Sequence, residues 1–533
     1  MKKYLIAFWS IMLATILLVS VSGCEKFLDR KPLTATLEDL NQGKLESQVY
    51  NLYYTLRQWS GFSSLPWVDF HSIRDDDAEK GSSLTDGAEI TTEFETFQYT
   101  KDDWAPNSYW NDHYYMINIA NNAIADAAEL KLEDPASLRN IAEAKFFRAY
   151  CYFDLVKNFG EVPLLTGRIV SPTDGIKPKS TVAEVYAQID ADLTYAAQNL
   201  PLDDIEYGNG YKGRLTKGAA NTMWAQTYLF RQNWGQVKAL CTQVIASGKY
   251  SLAPTFPDVW KDGKDGDPGY GKNGPEAIWE MQAFEGQNAV SNAAVDQWSY
   301  WSECQSVRQG GAGPEWNLGW GWNTPTDNLV NGWNTFDAND PRQRQTILFS
   351  GQSDGGPAQG GFGLTLPPYN ALGTAGNIER KYWNKKVYGD PGMRAYTGYI
   401  GGNSGTYWIN HRLLRYADVL LMLAEASNET GDGVTAAANL EKIRKRARGT
   451  TNALPPIAFV NQALMRTAIK NERRFEFAME GYRFYDLVRW GDAVSALGPL
   501  GYTNRCRFYP IPQKAIDLSK VNGVEILKQN PEW

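Results

Sequence analysis

Apolar positions recur at helical spacing along most of the chain, and the helices that they predict come in pairs. Arg214 to Arg231 and then Trp234 to Ser247 form one pair, with alanines where two helices would approach closely. The same layout returns at Arg412 to Glu429 and Val434 to Arg448. Each unit spans about 34 residues, which is the period of a tetratricopeptide repeat.

Two further pairs complete the predicted scaffold. Ile141 to Phe159 pairs with Val182 to Leu200 across a loop rich in Pro and Gly, and Lys44 to Trp59 pairs with Tyr109 to Glu129. In repeat proteins such pairs stack and bury a shared core. The sequence therefore predicts a mostly α-helical fold, a tetratricopeptide-like scaffold of about four helix pairs.

The segment from Asn471 to Asp492 mixes aromatic residues with charges that can pair. At helical spacing its apolar residues form two stripes, so we expect the segment to be buried. Charge pairs stand at i, i+3 on the predicted helix: Arg473 with Glu476, Glu480 with Arg483, and Asp486 with Arg489. We interpret the segment as a brace of the core rather than as an active site.

Between Gly248 and Tyr407 the helical pattern gives way to Gly, Pro, Asn and Trp, with short strands at most. A stretch this long without regular periods is normally functional or disordered. Its aromatic content argues against disorder. We therefore expect a loop-rich, aromatic-rich subdomain inserted into the helical scaffold.

The start of the chain has the pattern of a secretory signal peptide, with two lysines followed by an apolar run from Leu5 to Val21. Small residues then lead to Cys24 as in a bacterial lipobox, so we predict that residues 1–23 are removed and that Cys24 is lipidated. A transmembrane anchor is the alternative, because the run approaches the ~18 residues of a spanning helix. The lack of a basic cluster after Cys24 favours the lipid anchor.

Charge and composition argue against several classes of function. The net charge of −7 offers no electrostatic basis for binding nucleic acid. The five cysteines and three histidines lack the spacing of a metal site, and no cofactor is expected. Beyond Cys24, buried free thiols are favoured over a disulfide. The cysteines concerned are Cys151, Cys241, Cys304 and Cys506.

One short stretch has part of a calcium-loop pattern. Asp265, Asp267 and Glu276 occupy positions 1, 3 and 12 of an EF-hand-like loop. Gly269 stands at position 5, however, and Tyr270 stands at position 6, where the sharp turn requires glycine. We favour a solvated turn and keep a calcium site as the alternative.

Four blocks of the chain resemble the SusD/RagB family of outer-membrane nutrient-binding lipoproteins. These blocks are Asn471 to Asp492, Ala142 to Leu165, Arg415 to Glu429 and Arg507 to Leu518. The resemblance implies a repeat scaffold interrupted by a loop-rich subdomain that contributes much of the ligand surface. It places a SusD-like N-terminal part at about 24–230, the insert at about 248–407 and a RagB/SusD part at about 280–533.

Tryptophan is the outlier of the composition, with 19 residues. Flat aromatic rings stack on the apolar faces of sugars, although core packing is the alternative for each of them. The resemblance implies a stacking ring and a hydroxyl-reading amide at Trp104 and Asn107, in a loop before a helix that begins near Tyr109. Trp322 is expected to wedge a glycine loop against the body. The next candidates in the insert are Tyr300, Trp301 and Trp320.

Asp75 and Asp76 belong to a polar run before the loop at Gly81. A solvated face is the ordinary interpretation of such a run, whereas the resemblance implies an acidic binding residue there. Paired carboxylates also suit a glycosidase, but no hydrolase motif accompanies them and we predict no enzyme. The Gly-rich run at 355–363 lacks the lysine and hydroxyl residue of a phosphate loop.

The function that the resemblance implies is capture of an oligosaccharide or polysaccharide at the outer face of the outer membrane. The lipoprotein would then deliver it to a SusC-like TonB-dependent transporter. One alternative is uptake of peptides, as in RagB-type members. Another is a tetratricopeptide scaffold that binds only protein, which leaves the aromatic insert without a role. The tryptophan content favours sugars and does not identify the glycan.

Overall fold

Helices form most of the scaffold, as the hydrophobic periodicity predicts. The computed structural model describes residues 45–58, 61–83, 85–208, 212–261, 271–283, 299–308, 316–370, 378–391 and 408–533. Residue contacts group Gln48–Trp533 into one unit. This unit contains the repeats and the insert.

The helices differ widely in length, and the long ones build the repeats. In chain order they are α1 (Glu46–Arg57), α2 (Leu65–Val68), α3 (Ala88–Ile90), α4 (Trp104–Glu129), α5 (Pro135–Phe159), α6 (Val182–Asn199), α7 (Lys217–Phe230), α8 (Trp234–Ala246), α9 (Tyr300–Gln305), α10 (Asp327–Asp337), α11 (Arg342–Thr346), α12 (Tyr416–Glu429), α13 (Gly433–Arg448), α14 (Gln462–Glu476), α15 (Arg483–Trp490), α16 (Ala493–Leu497) and α17 (Gln513–Leu518).

Three of the four predicted helix pairs are confirmed, while α4, expected to pair with α1, packs on α5. Helix α5 packs on α6, α7 on α8, and α12 on α13. Polar caps explain where several of them begin, since the side chains of Thr216, Asn233 and Asp432 accept hydrogen bonds from backbone N–H groups of α7, α8 and α13. Helix α8 also packs directly on α12. The residues between these two helices are therefore an insert in space as well as in sequence.

Short antiparallel strands hold the insert and the loops to the scaffold. Strands β1 (Ala78–Gly81) and β3 (Trp322–Pro325) pair, as do β2 (Ala277–Met281) with β6 (His411–Arg415), β4 (Ile347–Phe349) with β5 (Tyr382–Asn384), and β7 (Lys520–Val521) with β8 (Val524–Glu525). The sequence predicts a helix that begins at Arg412. Because β6 pairs with β2 as a strand, the helix begins instead at Tyr416. The insert also contains α10, a helix that the sequence pattern did not predict.

The segment Asn471 to Asp492 is buried as predicted, but it is not one helix. The chain turns between α14 and α15, where Met479 and Gly481 have φ of 66° and 80°. The predicted pairs of Arg473 with Glu476 and of Glu480 with Arg483 do not form. Arg473 pairs instead with Asp418 and Asp486, at 2.7 and 2.9 Å. The predicted pair of Asp486 with Arg489 is present at 2.8 Å.

A buried ion-pair network joins the insert to the last repeat. Arg415 donates to Glu276 at 2.7 Å and to Glu476 at 2.7 Å, and it pairs with Glu480 at 2.8 Å. From the insert, Lys386 reaches Glu480 at 2.5 Å. Because each carboxylate meets at least one cation, the network fixes the relative positions of these segments without leaving a lone buried charge.

Candidate functional site

Trp104 is the first residue of α4, and its side chain is 39% exposed. The helix begins here rather than near Tyr109, because Asp103 is extended and Pro106 fits the first turn, where its missing N–H costs nothing. The side-chain amide of Asn107 donates to the carbonyl of Asp103 at 3.0 Å. Trp104 and Asn107 are three residues apart on a helix, so they lie on one face.

Two π-helical turns, Asp69–Ile73 and Thr91–Glu95, contact each other close to this point. Asp69 is completely buried, and neither of its carboxyl oxygens has a hydrogen-bond partner among the described residues. Glu93 is 9% exposed, and its Oε2 likewise has no partner within the described part of the chain. Buried polar groups without partners are uncommon, and π-helical turns are frequent at functional sites.

The surroundings of these two carboxyl groups favour their neutral forms. Burial, followed by the charges of Glu93 and Glu89, raises the pKa of Asp69 well above its usual range. Burial, followed by Asp103 and Glu89, raises the pKa of Glu93 to about 8. Near neutral pH Glu93 is therefore largely protonated, and its carboxyl group then has an O–H to donate as well as oxygens to accept. For Asp69 burial favours the neutral form in the same direction.

The insert reaches the same carboxyl groups through α9. This helix packs against α2, which leads directly into Asp69. Burial, followed by Glu303 and Asp69, raises the pKa of the Cys304 thiol on α9. The backbone N–H of Trp320 donates to the carbonyl of Glu303 at 2.9 Å.

These neighbours bring α9 of the insert close to Asp69. We call the whole set the Trp104 region, and it consists of Trp104, Asn107, Asp69, Glu93, Tyr300 and Trp320. Tyr300 and Trp320 are both half-buried.

Trp301 differs from the other aromatic candidates because its ring lies in the core. It is 1% exposed and stacks on His411, with ring centroids 4.3 Å apart. The edge of Trp67 contacts the same His411 ring at 4.5 Å. In this position Trp301 offers no open face to a ligand. Trp322 is also buried, and its ring occupies the space beside Gly87 that a Cβ atom would need.

Asp75 and Asp76 lie where the loop before β1 meets the last repeat. The carboxylate of Asp75 accepts from the backbone N–H groups of Asp77 and Ala78 at 2.7 and 2.9 Å. That of Asp76 accepts two hydrogen bonds from Arg483, at 2.8 and 2.9 Å. Protein groups thus engage both carboxylates, and a ligand contact through either residue stays a prediction.

Glu276, the third ligand of the alternative calcium site, is already engaged by other protein groups. Glu276 accepts hydrogen bonds from Arg415 at 2.7 Å and from Arg446 at 2.8 Å, so its carboxylate already neutralises two cations. Asp265 and Asp267 lie outside the described residues. Among those that are described, no cluster of three or more acidic, His or Cys side chains suits a metal ion.

The thiols and the predicted anchor complete the sequence candidates. Cys151, Cys241, Cys304 and Cys506 are free and buried, as expected. Residues 1–23 and Cys24 lie outside the described residues. Within the described ranges, no helix combines the length and the apolar character needed to cross a membrane.

Sequence reasoning missed Asp69 and Glu93. Asp69 did leave a signal, because a carboxylate within the apolar run of Trp67, Val68 and Phe70 has no exposed helix face to occupy. Glu93 gave none, since it stands in an ordinary polar stretch. Its burial depends on contact between two turns that are distant along the chain.

The fold defines a tetratricopeptide-like helical-repeat protein with a loop-rich insert. The SusD family model matches residues 275–533, and a model described as starch-binding, associating with outer membrane, matches residues 26–229. The chain belongs to the SusD family.

Similar proteins cover nearly the whole chain. SusD-like protein P2 of Formosa agariphila is 26% identical over 562 residues, which is 100% of each chain. A solved laminarin binding SusD-like protein is 25% identical, with a TM-score of 0.71 over 92% of this chain and 99% of the other. Surface glycan-binding protein A of Bacteroides thetaiotaomicron, solved with laminarihexaose, shares the fold at 20% identity and a TM-score of 0.72, over 92% of this chain and 99% of the other.

Proposed function

We propose that this chain is a cell-surface lipoprotein that binds an oligosaccharide or polysaccharide and delivers it to a SusC-like TonB-dependent transporter. The observation that carries the proposal is the exposed ring of Trp104, placed on a rigid helix beside buried carboxyl groups that lack partners among the described residues. Membership of the SusD family and a relative named as laminarin binding support it. The description of the second family model supports the outer membrane as the location.

The chemistry of the Trp104 region suits a sugar. The open indole of Trp104 provides a face for the C–H groups of a pyranose ring. Asn107 provides an amide one turn away, and the half-buried rings of Tyr300 and Trp320 extend the aromatic surface from the insert. The carboxyl group of Glu93, largely neutral near pH 7, adds little charge to the site. A ligand stacked on Trp104 is thus read by polar groups held in fixed positions.

We propose binding without catalysis. Hydrolysis of a glycosidic bond requires two carboxyl groups that face the scissile bond about 5 to 10 Å apart. Asp69 is completely enclosed, and Asp75 and Asp76 are held by backbone and arginine donors. These four acidic residues, Glu93 included, serve the fold and the electrostatics of the site in this proposal. Release of reducing sugar by the pure protein would contradict it.

Titration of the soluble chain that starts at Glu25 tests the proposal. Laminarin oligosaccharides head the panel, followed by starch, fructan and mannan oligosaccharides, and peptides form a separate arm. We expect at least one glycan to bind with a micromolar Kd, and Trp104→Ala to weaken it at least tenfold, or about 1.4 kcal/mol. Tyr115→Ala, an exposed aromatic of the same helix, is the matched control and leaves the affinity unchanged. Binding of peptides without any glycan overturns the proposal.

The anchor has its own test. Cells that express the full chain are labelled with palmitate, and the wild type is compared with Cys24→Ala. We expect the label to be lost in the variant, because the thiol of Cys24 is the site of lipidation in this proposal. Equal labelling of the two proteins removes the anchor and leaves the glycan proposal intact.

A further inference from the structure

A pocket on the helical scaffold shares no lining residue with the Trp104 region. Three separate segments form it: the connection from α6 to α7, the residues that follow α8, and the approach to β2. Its volume is about 210 Å³. That is below the roughly 300 Å³ at which pockets for drug-sized ligands begin, so the pocket suits one small ring and not a chain of them.

Buried polar side chains form the floor of this pocket. Arg214 is fixed by Glu143, whose carboxylate accepts from its Nε at 3.0 Å and from a terminal nitrogen at 2.5 Å. Glu280 is held in turn, since its Oε2 accepts from the backbone N–H of Asn273 at 2.9 Å and from Asn410 at 2.8 Å. The protein therefore fixes the floor before any ligand arrives, which lowers the cost of ordering it on binding.

Trp279 adds an unsatisfied donor to the floor. Its side chain is 3% exposed, and its Nε1–H has no acceptor among the described residues. The ring lies edge to face with Phe146 and Tyr150, at 5.0 and 5.4 Å, so the indole is held firmly. A buried N–H without a partner is unfavourable, and a ligand oxygen within its reach would satisfy it.

The rim supplies donors and acceptors in balance. Asp203 pairs with Lys249 at 2.7 Å, and this contact lowers the pKa of Asp203 and raises that of Lys249. Asp204 accepts from the backbone N–H of Gly213 at 3.2 Å. The hydroxyl of Tyr250 lies 2.8 Å from that of Thr216. An ammonium group has three N–H donors and a carboxylate about four acceptor sites, so Lys249 and Asp203 can each form further hydrogen bonds to a ligand.

This combination identifies the class of ligand. A metal ion is disfavoured, because no group of three or more acidic, His or Cys side chains within the described residues suits one. A strongly charged ligand is disfavoured as well, since Asp203 and Lys249 already neutralise each other. Hydroxyl groups that both donate and accept match the rim, and the unpaired Nε1–H of Trp279, a lining residue, suits a ligand oxygen. We infer that this pocket binds a single neutral sugar ring, whose hydroxyls contact Asp204, Lys249 and Tyr250.

Saturation-transfer NMR and calorimetry on the soluble chain test this inference with neutral monosaccharides: glucose, galactose, mannose, xylose and N-acetylglucosamine. We expect at least one to bind with a Kd in the low millimolar range, as befits a ligand of about a dozen heavy atoms. Asp204→Asn should weaken it about tenfold, and Tyr250→Phe about threefold. Circular dichroism confirms that both variants fold.

Two controls separate this pocket from the Trp104 region. Asp517→Asn removes an exposed carboxylate of α17 and should leave monosaccharide binding unchanged. Trp104→Ala should also leave it unchanged, even though it weakens oligosaccharide binding. Failure of every monosaccharide to bind overturns the inference, as does binding that survives Asp204→Asn but is lost in Trp104→Ala. Neither outcome bears on the glycan proposal for the Trp104 region.

Discussion

In the last repeat, the carboxylate of Glu476 accepts hydrogen bonds from Arg415 at 2.7 Å and from Arg342 at 3.0 Å. In the π-helical turn Asp69–Ile73, the equally buried carboxyl group of Asp69 accepts none from the described residues. Burial alone raises the pKa of both groups. In Glu476 it is outweighed by Arg446, Arg415 and Arg342, which hold the pKa well below its usual range, whereas the pKa of Asp69 stays well above.

This difference distinguishes the buried carboxylates that hold the scaffold together from the carboxyl groups of the candidate site. Paired buried charges lock the segments that carry them, because removing one partner strands the other. Buried carboxyl groups without partners cost stability, and carboxyl groups with strongly shifted pKa values cluster at functional sites. The ion-pair network thus explains how the insert is held on the repeats. In our proposal the Trp104 region is the surface that binds the ligand.

The largest expected effect comes from breaking the network at its centre. Arg415→Met removes the cation shared by Glu276, Glu476 and Glu480, so we expect the free energy of unfolding to fall by about 3–5 kcal/mol. Urea denaturation followed by tryptophan fluorescence measures it. Lys520→Met removes an exposed ion pair and serves as the control, with a loss below about 1 kcal/mol. Similar losses in the two variants would mean that the network does not brace the fold.

Two tryptophan truncations give the next largest contrast. Trp301→Ala leaves a cavity beside His411, so we expect a loss of about 3 kcal/mol in the free energy of unfolding. Trp104→Ala removes a partly exposed ring and should cost less than about 1 kcal/mol. Thermal unfolding of the two variants measures the difference. Equal losses would show that Trp104 is a core residue rather than a ligand platform.

The unpaired carboxyl groups predict a pH dependence of stability. The pKa of Glu93 rises from 4.5 to about 8 on folding, so the folded chain keeps a proton that the unfolded chain releases. Its contribution to stability is complete below about pH 4.5 and is lost as the pH rises through about 8. Glu93→Gln should remove that loss and stabilise the chain at pH 9 by on the order of 2 kcal/mol relative to wild type.

Denaturation of Glu93→Gln and wild type at pH 5 and pH 9 checks this expectation. At pH 5 the two proteins should differ little, because the amide replaces a neutral carboxyl group of the same shape. Glu532→Gln, at an exposed position, is the control and should show no such change with pH. A Glu93→Gln effect of equal size at both pH values would mean that the carboxyl group is charged throughout.

The smallest expected effect concerns Asp76, whose carboxylate is paired with an arginine, as that of Glu476 is. Asp76→Asn weakens the two hydrogen bonds from Arg483, and we expect a loss of about 1 kcal/mol in the free energy of unfolding. Chemical denaturation with Asp517→Asn as an exposed control measures it. Lower glycan affinity without lower stability would instead indicate that Asp76 contacts the ligand, as the family resemblance implies.

Periodicity was sufficient to predict the scaffold. The small and apolar residues of α7, α8, α12 and α13 recur at helical spacing, and their pairing depends on neighbours in sequence. The partners of Arg473 and Glu480 were not predictable in this way. They depend on the turn at Met479 and Gly481, and on Arg415 and Lys386, which reach the turn from distant parts of the chain.

The site was predictable only in part. Trp104 and Asn107 come from a family resemblance, and the structure places them together on the first turn of α4. Trp301 has the same side chain as Trp104 but lies in the core, because α9 turns that residue inward. Composition cannot distinguish such cases. Local sequence also does not show that Asp69 and Glu93 lack partners among the described residues, since that depends on which groups fold around them.

A crystal structure of the soluble chain with a bound oligosaccharide tests the central claim most directly. The account predicts electron density for a sugar ring stacked on the indole of Trp104, with hydroxyl groups within about 3.2 Å of polar groups of the Trp104 region. Density for the ligand elsewhere on the molecule, with the face of Trp104 open to solvent, would contradict it.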